Sequence, residues 1–439
     1  MRYRTTSAVT ATALLLVGSL TACGGSDEAE ASGGTLTYWA TNMAPTPADD
    51  EAVLTPELEK FTEETGIEVE LEVVPWDSLY NRILTAVSSG EGPDVLNIGN
   101  TWSASLQATG SFLPLEGEAL EAIGGAEKFV PTALAATGSE DAPRTAVPLY
   151  GQSYGLFYNK AMFAEAGVPE PTDGWTWQQF LDAATALTRD ENGDGTPDQY
   201  GFAMTGGSVA NSAHAAFILG RQEGGALFDE SGAPTFESEE QVAAVTRWVE
   251  LMTSGVTLPG SAEYTGDAEA DNDLAEGRVA MVMQQSGSRN ALNALGFTEY
   301  GVAQVPVPEG GTPTQTMVAG INISVFNESD QQEEALQLVE FLTSDEQQVT
   351  LNKAYTTLPV VEAAYDDPAF NDEISGTFAT ILAEHAEPMP QLPAEGQMET
   401  LVGGAVVDLI SRAATGQPVT DADVREALAG AQEEMEAAS

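Results

Sequence analysis

The chain has 439 residues, 42% of them hydrophobic, enough for a large core and, as a soft prior, for two or more domains. Its 68 acidic residues, spread along the chain as a solvated surface, outnumber 15 basic ones and give a formal net charge of −53. A field of that sign repels nucleic acid phosphates and anionic lipid headgroups, and it disfavours an anionic ligand unless arginines are concentrated locally.

At the N-terminus, Arg2 and Arg4 precede the small and apolar stretch from Ala8 to Leu20, which is too short and wrongly flanked for a membrane span. Cys23 is the only cysteine, so an intramolecular disulfide and a multi-cysteine metal site are both excluded. Placed directly after Leu20-Thr21-Ala22, it resembles the lipobox cysteine of a bacterial lipoprotein. That resemblance implies a signal peptide over 1–22, cleavage before Cys23, lipidation of its thiol, and residence on the extracellular face of the cytoplasmic membrane. The alternative is an ordinary secretory signal. Residues 23–34, polar and rich in Gly and Ser, read as a flexible tether.

Beyond the tether, "TLTYWAT" (Thr35 to Thr41) reads as a buried first strand. "LTPELEKFTEETG" follows as a helix stopped at Gly66. "IEVELEVV" alternates Ile67, Val69, Leu71 and Val73 against glutamates, the pattern of a half-buried strand. Asp77 or Ser78 can cap a helix with Leu79, Ile83 and Val87 on one face, ended by Gly90, before the third strand "PDVLNIG". This βαβαβ order predicts an α/β fold with a mostly parallel sheet covered by helices. Thr176-Trp177-Gln178-Gln179 matches a capping box, and Ser238 and Ser329 open two more helices. Strand-like "RVAMVM", "GVAQVPVP" and "MVAGINISVF" lie among them, and the C-terminal eighty residues look mainly helical.

Gly151-Gln152-Ser153-Tyr154-Gly155 is a literal match to G-x-S-x-G, the nucleophile elbow of serine hydrolases. Such an enzyme would use Ser153 with His214 or His385 as base. An elbow needs strand, tight turn and helix, whereas the following "GLFYNK" reads as extended. His385 otherwise reads as surface or helix packing.

The order of motifs resembles the extracellular solute-binding proteins of family 1, the sugar-capturing subunits of ABC importers, over nearly the whole chain beyond the tether. The strongest stretch is "FTEETGIEVELEVVPWDSLYNRILTAVSSGEGPDVLNIGNTW". "AVPLYGQSYGLFYNKAMFAEAGV", "EGRVAMVM", "AGINISVFNESDQQEEALQLVEFLTSDEQQ" and "LPVV" follow in family order. The resemblance implies a two-lobe periplasmic-binding-protein fold with an interlobe ligand cleft. Lobe one takes 35–148 and 320–357, lobe two takes 155–316 and 359–439, and hinge crossings fall at 149–154, 317–319 and 358. It implies a monomer without catalysis or required cofactor, tethered by its lipid. Hinge closure captures a neutral carbohydrate, an oligosaccharide, for the permease subunits of an ABC importer.

A sugar cleft wants aromatic plates and hydrogen-bonding amides, hydroxyls and imidazoles, and in α/β folds ligands sit beyond the carboxyl ends of strands. The first strand ends at Trp39 and Asn42, with Trp39 open to a core role. The second ends at Trp76, either a plate or a packed helix-entry residue. The third ends at Asn100, Thr101 and Trp102. The resemblance to the maltose-binding branch adds Gln152 at a hinge-glutamate position with Tyr150 beside it, His214 at a tyrosine position, Gln285 in the strand after "RVA", and Gly320 at the second crossing. Two tryptophans of that branch are absent, near Gln285 and near Met398, which argues against transferring maltose specificity.

Asp190, Asn192, Asp194, Thr196 and Asp198 hold EF-hand positions one, three, five, seven and nine, but Gly201 stands where the bidentate glutamate belongs. The loop reads either as a structural calcium staple or as a metal-free turn rich in Asp, Asn and Gly. A calcium-dependent surface binding protein is therefore a third functional reading, beside the solute carrier and the hydrolase.

Overall fold

A computed structural model describes residues 34–44, 46–310 and 314–438. The signal, Cys23 and the tether lie outside them, save Gly34. The expected grammar opens the fold: strand β1 (Thr35–Thr41), helix Pro47–Thr65, strand β2 (Glu68–Val74), helix Trp76–Ser89 and strand β3 (Val95–Gly99). The alternation read in β2 is the observed one, glutamates out and apolar residues less exposed, while β3 is buried throughout. Both helices stop at the expected glycines, Gly66 and Gly90.

Their starts differ from the expectation. The first helix begins well before Leu54, because Thr46 accepts from the Asp49 amide and Pro47 supplies a preset φ at the first helical position. The second begins at Trp76, with Pro75 rather than Asp77 or Ser78 at the cap. Proline offers no side-chain acceptor, so Asn42 fills the role from across the sheet: its Oδ1 accepts from the Trp76 amide at 2.7 Å. Downstream, the Thr176–Gln179 capping box is present in full and Ser238 caps its helix. Ser329 does not cap; its hydroxyl donates to Asp94 and accepts the Gln331 amide, and the helix begins at Gln332.

The remaining strands are β4 (Val147–Asn159), β5 (Met281–Gln285), β6 (Tyr300–Ala303), β7 (Thr316–Val325) and the short β8 (Ala386–Glu387). The order is β2-β1-β3-β7-β4-β5, with β6 also on β4 and β8 on β7. The sheet is less parallel than the βαβαβ order predicts. β1, β2 and β3 run parallel, whereas β7 joins β3, and β4 joins β7, β5 and β6, all antiparallel. The antiparallel members arrive from distant parts of the chain, where no short crossover constrains direction.

β4 passes between two cores. Leu149 and Tyr150 pack with β1, helix Pro47–Thr65 and helix Gln332–Leu342. Tyr154 and Leu156 pack with helices Trp177–Leu187, Val209–Gln222, Glu239–Thr253 and Glu395–Ala414. β7 makes the same passage, with Met317 and Ala319 in the second core and Ile321 and Ile323 in the first. A third strand-like contact joins Gly151 to Leu358.

At the crossing the backbones of β4 and β7 approach closely, with Gly151 opposite Gly320. Gly320 has φ of 153°, and a Cβ there would lie 2.3 Å from the Tyr150 carbonyl oxygen. Gly320→Ala should therefore cost about 1–3 kcal/mol in urea unfolding. Gly404→Ala, inside helix Glu395–Ala414 where an added Cβ meets nothing within 4 Å, should gain about 0.5–1 kcal/mol.

Candidate functional site

A cavity of about 610 Å³ opens where the ends of β1 and β3 meet the crossing strands and the helices of the second core. Nine of the eleven residues expected at the site line it: Asn42, Trp76, Asn100, Thr101, Trp102, Gln152, His214, Gln285 and Gly320. Asn42 presents its amide from the end of β1, held by the Trp76 amide. Asn100, Thr101 and Trp102 form a single 3-10 turn directly after β3, and Asn100 Nδ2 donates to the Val318 carbonyl at 2.7 Å, tying this turn to β7.

Trp76 stacks on Trp102, ring centroids 4.2 Å apart and planes 21° from parallel, and Tyr80 leans on Trp102 from behind. Gly99 makes this possible, since a Cβ there would come within 2.8 Å of the Trp76 ring and 3.0 Å of the Trp102 ring. Trp76 stays 38% exposed, so this plate has one open face.

Two expected residues fall elsewhere. Trp39 lies on the other face of the sheet, its ring covered by the Arg82 guanidinium at 3.9 Å, and that guanidinium also pairs with Glu72. Alternation along β1 buries Leu36, Tyr38 and Ala40 on one side and leaves Trp39 to pack on the cluster that holds Leu79 and Ile83 of helix Trp76–Ser89. Tyr150 is buried in the first core, edge-on to Tyr355 at 5.5 Å, and Tyr355 takes the cavity-facing place.

Asn211, Asp267, Tyr355, Thr357 and Glu399 also line the cavity, and sequence reasoning missed them. They come from helix starts, helix ends and turns far apart in the chain. Between Tyr355 and Thr357, Thr356 holds φ of 53°, a left-handed conformation that β-branched residues avoid.

The second-core wall is a connected polar network. His214 Nδ1 lies 2.8 Å from the Tyr154 hydroxyl and its Nε2 lies 3.0 Å from Glu399 Oε1. Gln285 Nε2 donates to the same tyrosine oxygen at 3.2 Å, and Asn211 Nδ2 donates to Asp267 Oδ1 at 2.8 Å. The imidazole is held from both sides, so its ring orientation is fixed. Burial raises the Asp267 carboxyl above its ordinary range, against the Asn211 hydrogen bond. One helical turn on, Asp271 is pushed up to about 8 by burial and then by Asp267.

The nucleophile-elbow pattern lies within β4. Ser153 is fully buried mid-strand, without the turn and helix start that would present its hydroxyl. His385 lines no part of the cavity; its carbonyl accepts the Gln315 amide. Met398 is buried in the second core.

In the acidic loop the carboxylates serve their own backbone. Asp190 accepts amides of Gly193, Asp194 and Gly195, Asp194 accepts that of Thr196, and Asp198 accepts those of Glu191 and Asn192. Gly201 packs against the Ala184 backbone where a longer ligand residue would collide. Among the described residues no group of three or more His, Cys, Asp or Glu is arranged to hold a metal ion.

Residues 44–349 match the family described as bacterial extracellular solute-binding protein. An uncharacterized lipoprotein of Streptomyces antibioticus is 26% identical over 91% of this chain and 86% of its own length. The sn-glycerol-3-phosphate-binding periplasmic protein UgpB of Brucella melitensis is 26% identical over 84% and 83%. Among solved structures, an ABC transporter solute-binding protein of Thermotoga lettingae, bound with α-D-tagatose, has a TM-score of 0.78 at 23% identity. That match covers 91% of this chain and 99% of that one.

The wall's electrostatics can be tested without any ligand. Asp271 keeps a proton in the folded state that the unfolded chain releases near its ordinary value of 3.8, so its stabilising effect is present at low pH and lost as pH rises towards about 8. Asp271→Asn should flatten the decline in stability between pH 5 and about 8 by up to about 1.4 kcal/mol per pH unit, the slope of one proton, when melting curves of variant and parent are compared.

Proposed function

We propose that this chain, which belongs to the bacterial extracellular solute-binding proteins, captures a carbohydrate of disaccharide size or longer and hands it to the permease of an ABC importer. The observation that carries this is the lining of the cavity. An open tryptophan plate suits the apolar C–H face of a sugar ring, and Asn42, Asn100, Gln152 and Gln285 offer both donors and acceptors to hydroxyls. Among the described residues no lysine or arginine lines it, so a phosphate such as the Brucella relative takes would find no cationic partner. The volume of about 610 Å³ falls within the range of small-ligand sites.

Capture works by hinge closure around the crossings at 149–154, 317–319 and 358, between a lobe of 35–148 with 320–357 and a lobe of 155–316 with 359–439. A ligand touching both lobes only in the closed form shifts the population towards closure, and no bond of the ligand changes. The protein acts as a monomer without a required cofactor, and Cys23, lipidated, holds it at the extracellular face of the membrane. Among the described residues no helix is long and apolar enough to cross a membrane.

Oligosaccharides should raise the melting temperature in a thermal-shift screen. Trp102→Ala should weaken the best of them by about tenfold or more in calorimetric titration, the effect of losing a buried aromatic anchor. Binding should survive a chelator and Ser153→Ala. A screen in which only peptides or polyamines shift the melting point would refute the carbohydrate assignment, and hydrolysis lost in Ser153→Ala with binding kept would favour an enzyme.

A further inference from the structure

The cavity carries more negative charge than the hydroxyls of a sugar require. Two carboxylates line it, Glu399 and Asp267, on two different helices, Glu395–Ala414 and Asp267–Ala275. Each has a second carboxyl one helical turn away, Glu395 before Glu399 and Asp271 after Asp267, buried behind the wall. Glu395 is completely buried and neither of its oxygens has a hydrogen-bond partner. Asp271 is 1% exposed and its Oδ1 has none. Full ionisation of all four would set like charges four residues apart on each helix, a repulsion that burial strengthens. The other lining side chains are uncharged amides, hydroxyls, aromatics and aliphatics, with His214 the one able to carry a positive charge.

Resting on the reading that the cavity holds a sugar, we infer that the sugar carries a basic amino group, which the carboxylates of Glu399 and Asp267 neutralise when the cleft closes. A cleft that closes on a neutral ligand leaves Asp267 with the Asn211 amide and Glu399 with the His214 imidazole, whereas an ammonium supplies a full opposing charge. Burial and then Glu399 push Glu395 well above the usual carboxylate range, and burial and then Asp267 raise Asp271, so each inner carboxyl keeps its proton behind an outer one. The exposed face of Trp76 suits an ammonium as well as a sugar C–H face.

The test uses matched pairs of ligands in calorimetric titration: maltose, cellobiose and lactose, each beside the same disaccharide with one hydroxyl replaced by an amino group. In at least one pair the amino member should bind about tenfold more tightly than its neutral partner. N-acetylation, which removes the charge, should abolish the gain. Glu399→Gln and Asp267→Asn, each checked for an unchanged circular-dichroism spectrum, should bring the ratio of the two affinities close to one. Neutral members binding as tightly as amino members, or more tightly, in every pair would overturn the amine while leaving the carbohydrate assignment standing. Failure of all members of all pairs to bind would overturn both.

Discussion

Strands β4 and β7 pair antiparallel from Val147–Ile323 to Ser153–Val318, and both pass from one hydrophobic core to the other within a few residues. Backbone hydrogen bonds are the interaction that survives such a passage, because they need no particular side chain and tolerate twist. The glycines facing each other at the crossing let the two backbones touch where side chains would hold them apart. The cavity's position follows from this ladder. β3 lies on β7, so the turn from Asn100 to Trp102 emerges at the crossing, and β5 lies on β4, so Gln285 emerges beside Tyr154. Loss of the ladder would separate the aromatic wall from the polar one.

The two walls are built differently and do different work. The first is a plate: Trp76 on Trp102 over Gly99, with Asn42 holding the start of the Trp76 helix. Its rings give area and shape at small entropic cost. The second is a network in which Gln285, Tyr154, His214 and Glu399 fix one another. Buried polar chains of this kind hold their donors and acceptors in place before a ligand arrives, so less ordering is left to be done on binding.

Much of this was legible in the sequence, for identifiable reasons. Strand ends followed by polar and aromatic residues pointed to Asn42, Trp76 and the Asn100–Trp102 turn, because a local pattern, strand then turn, fixes where those side chains emerge. Gly66, Gly90 and the Thr176 capping box marked helix limits through purely local backbone chemistry. Trp39 takes the packing role left open for it, because the strand's own alternation outweighs its place near the strand end. Glu399, Asp267 and Tyr355 had no local signal. They meet the cavity through contacts between elements hundreds of residues apart, which periodicity cannot encode. The parallel sheet was overestimated for the same reason, since β7 and β4 enter from far along the chain. The G-x-S-x-G match shows the reverse error, a short pattern whose context is a buried strand.

Hinge closure about the β4–β7 crossing on a bound sugar is the central claim, and small-angle X-ray scattering reads it most directly. Scattering from the protein alone and saturated with the tightest sugar of a thermal-shift screen should show a smaller radius of gyration in the bound sample, and Trp102→Ala should need more sugar to reach it. An unchanged radius at a sugar concentration that saturates binding would contradict closure and leave a rigid cleft in its place.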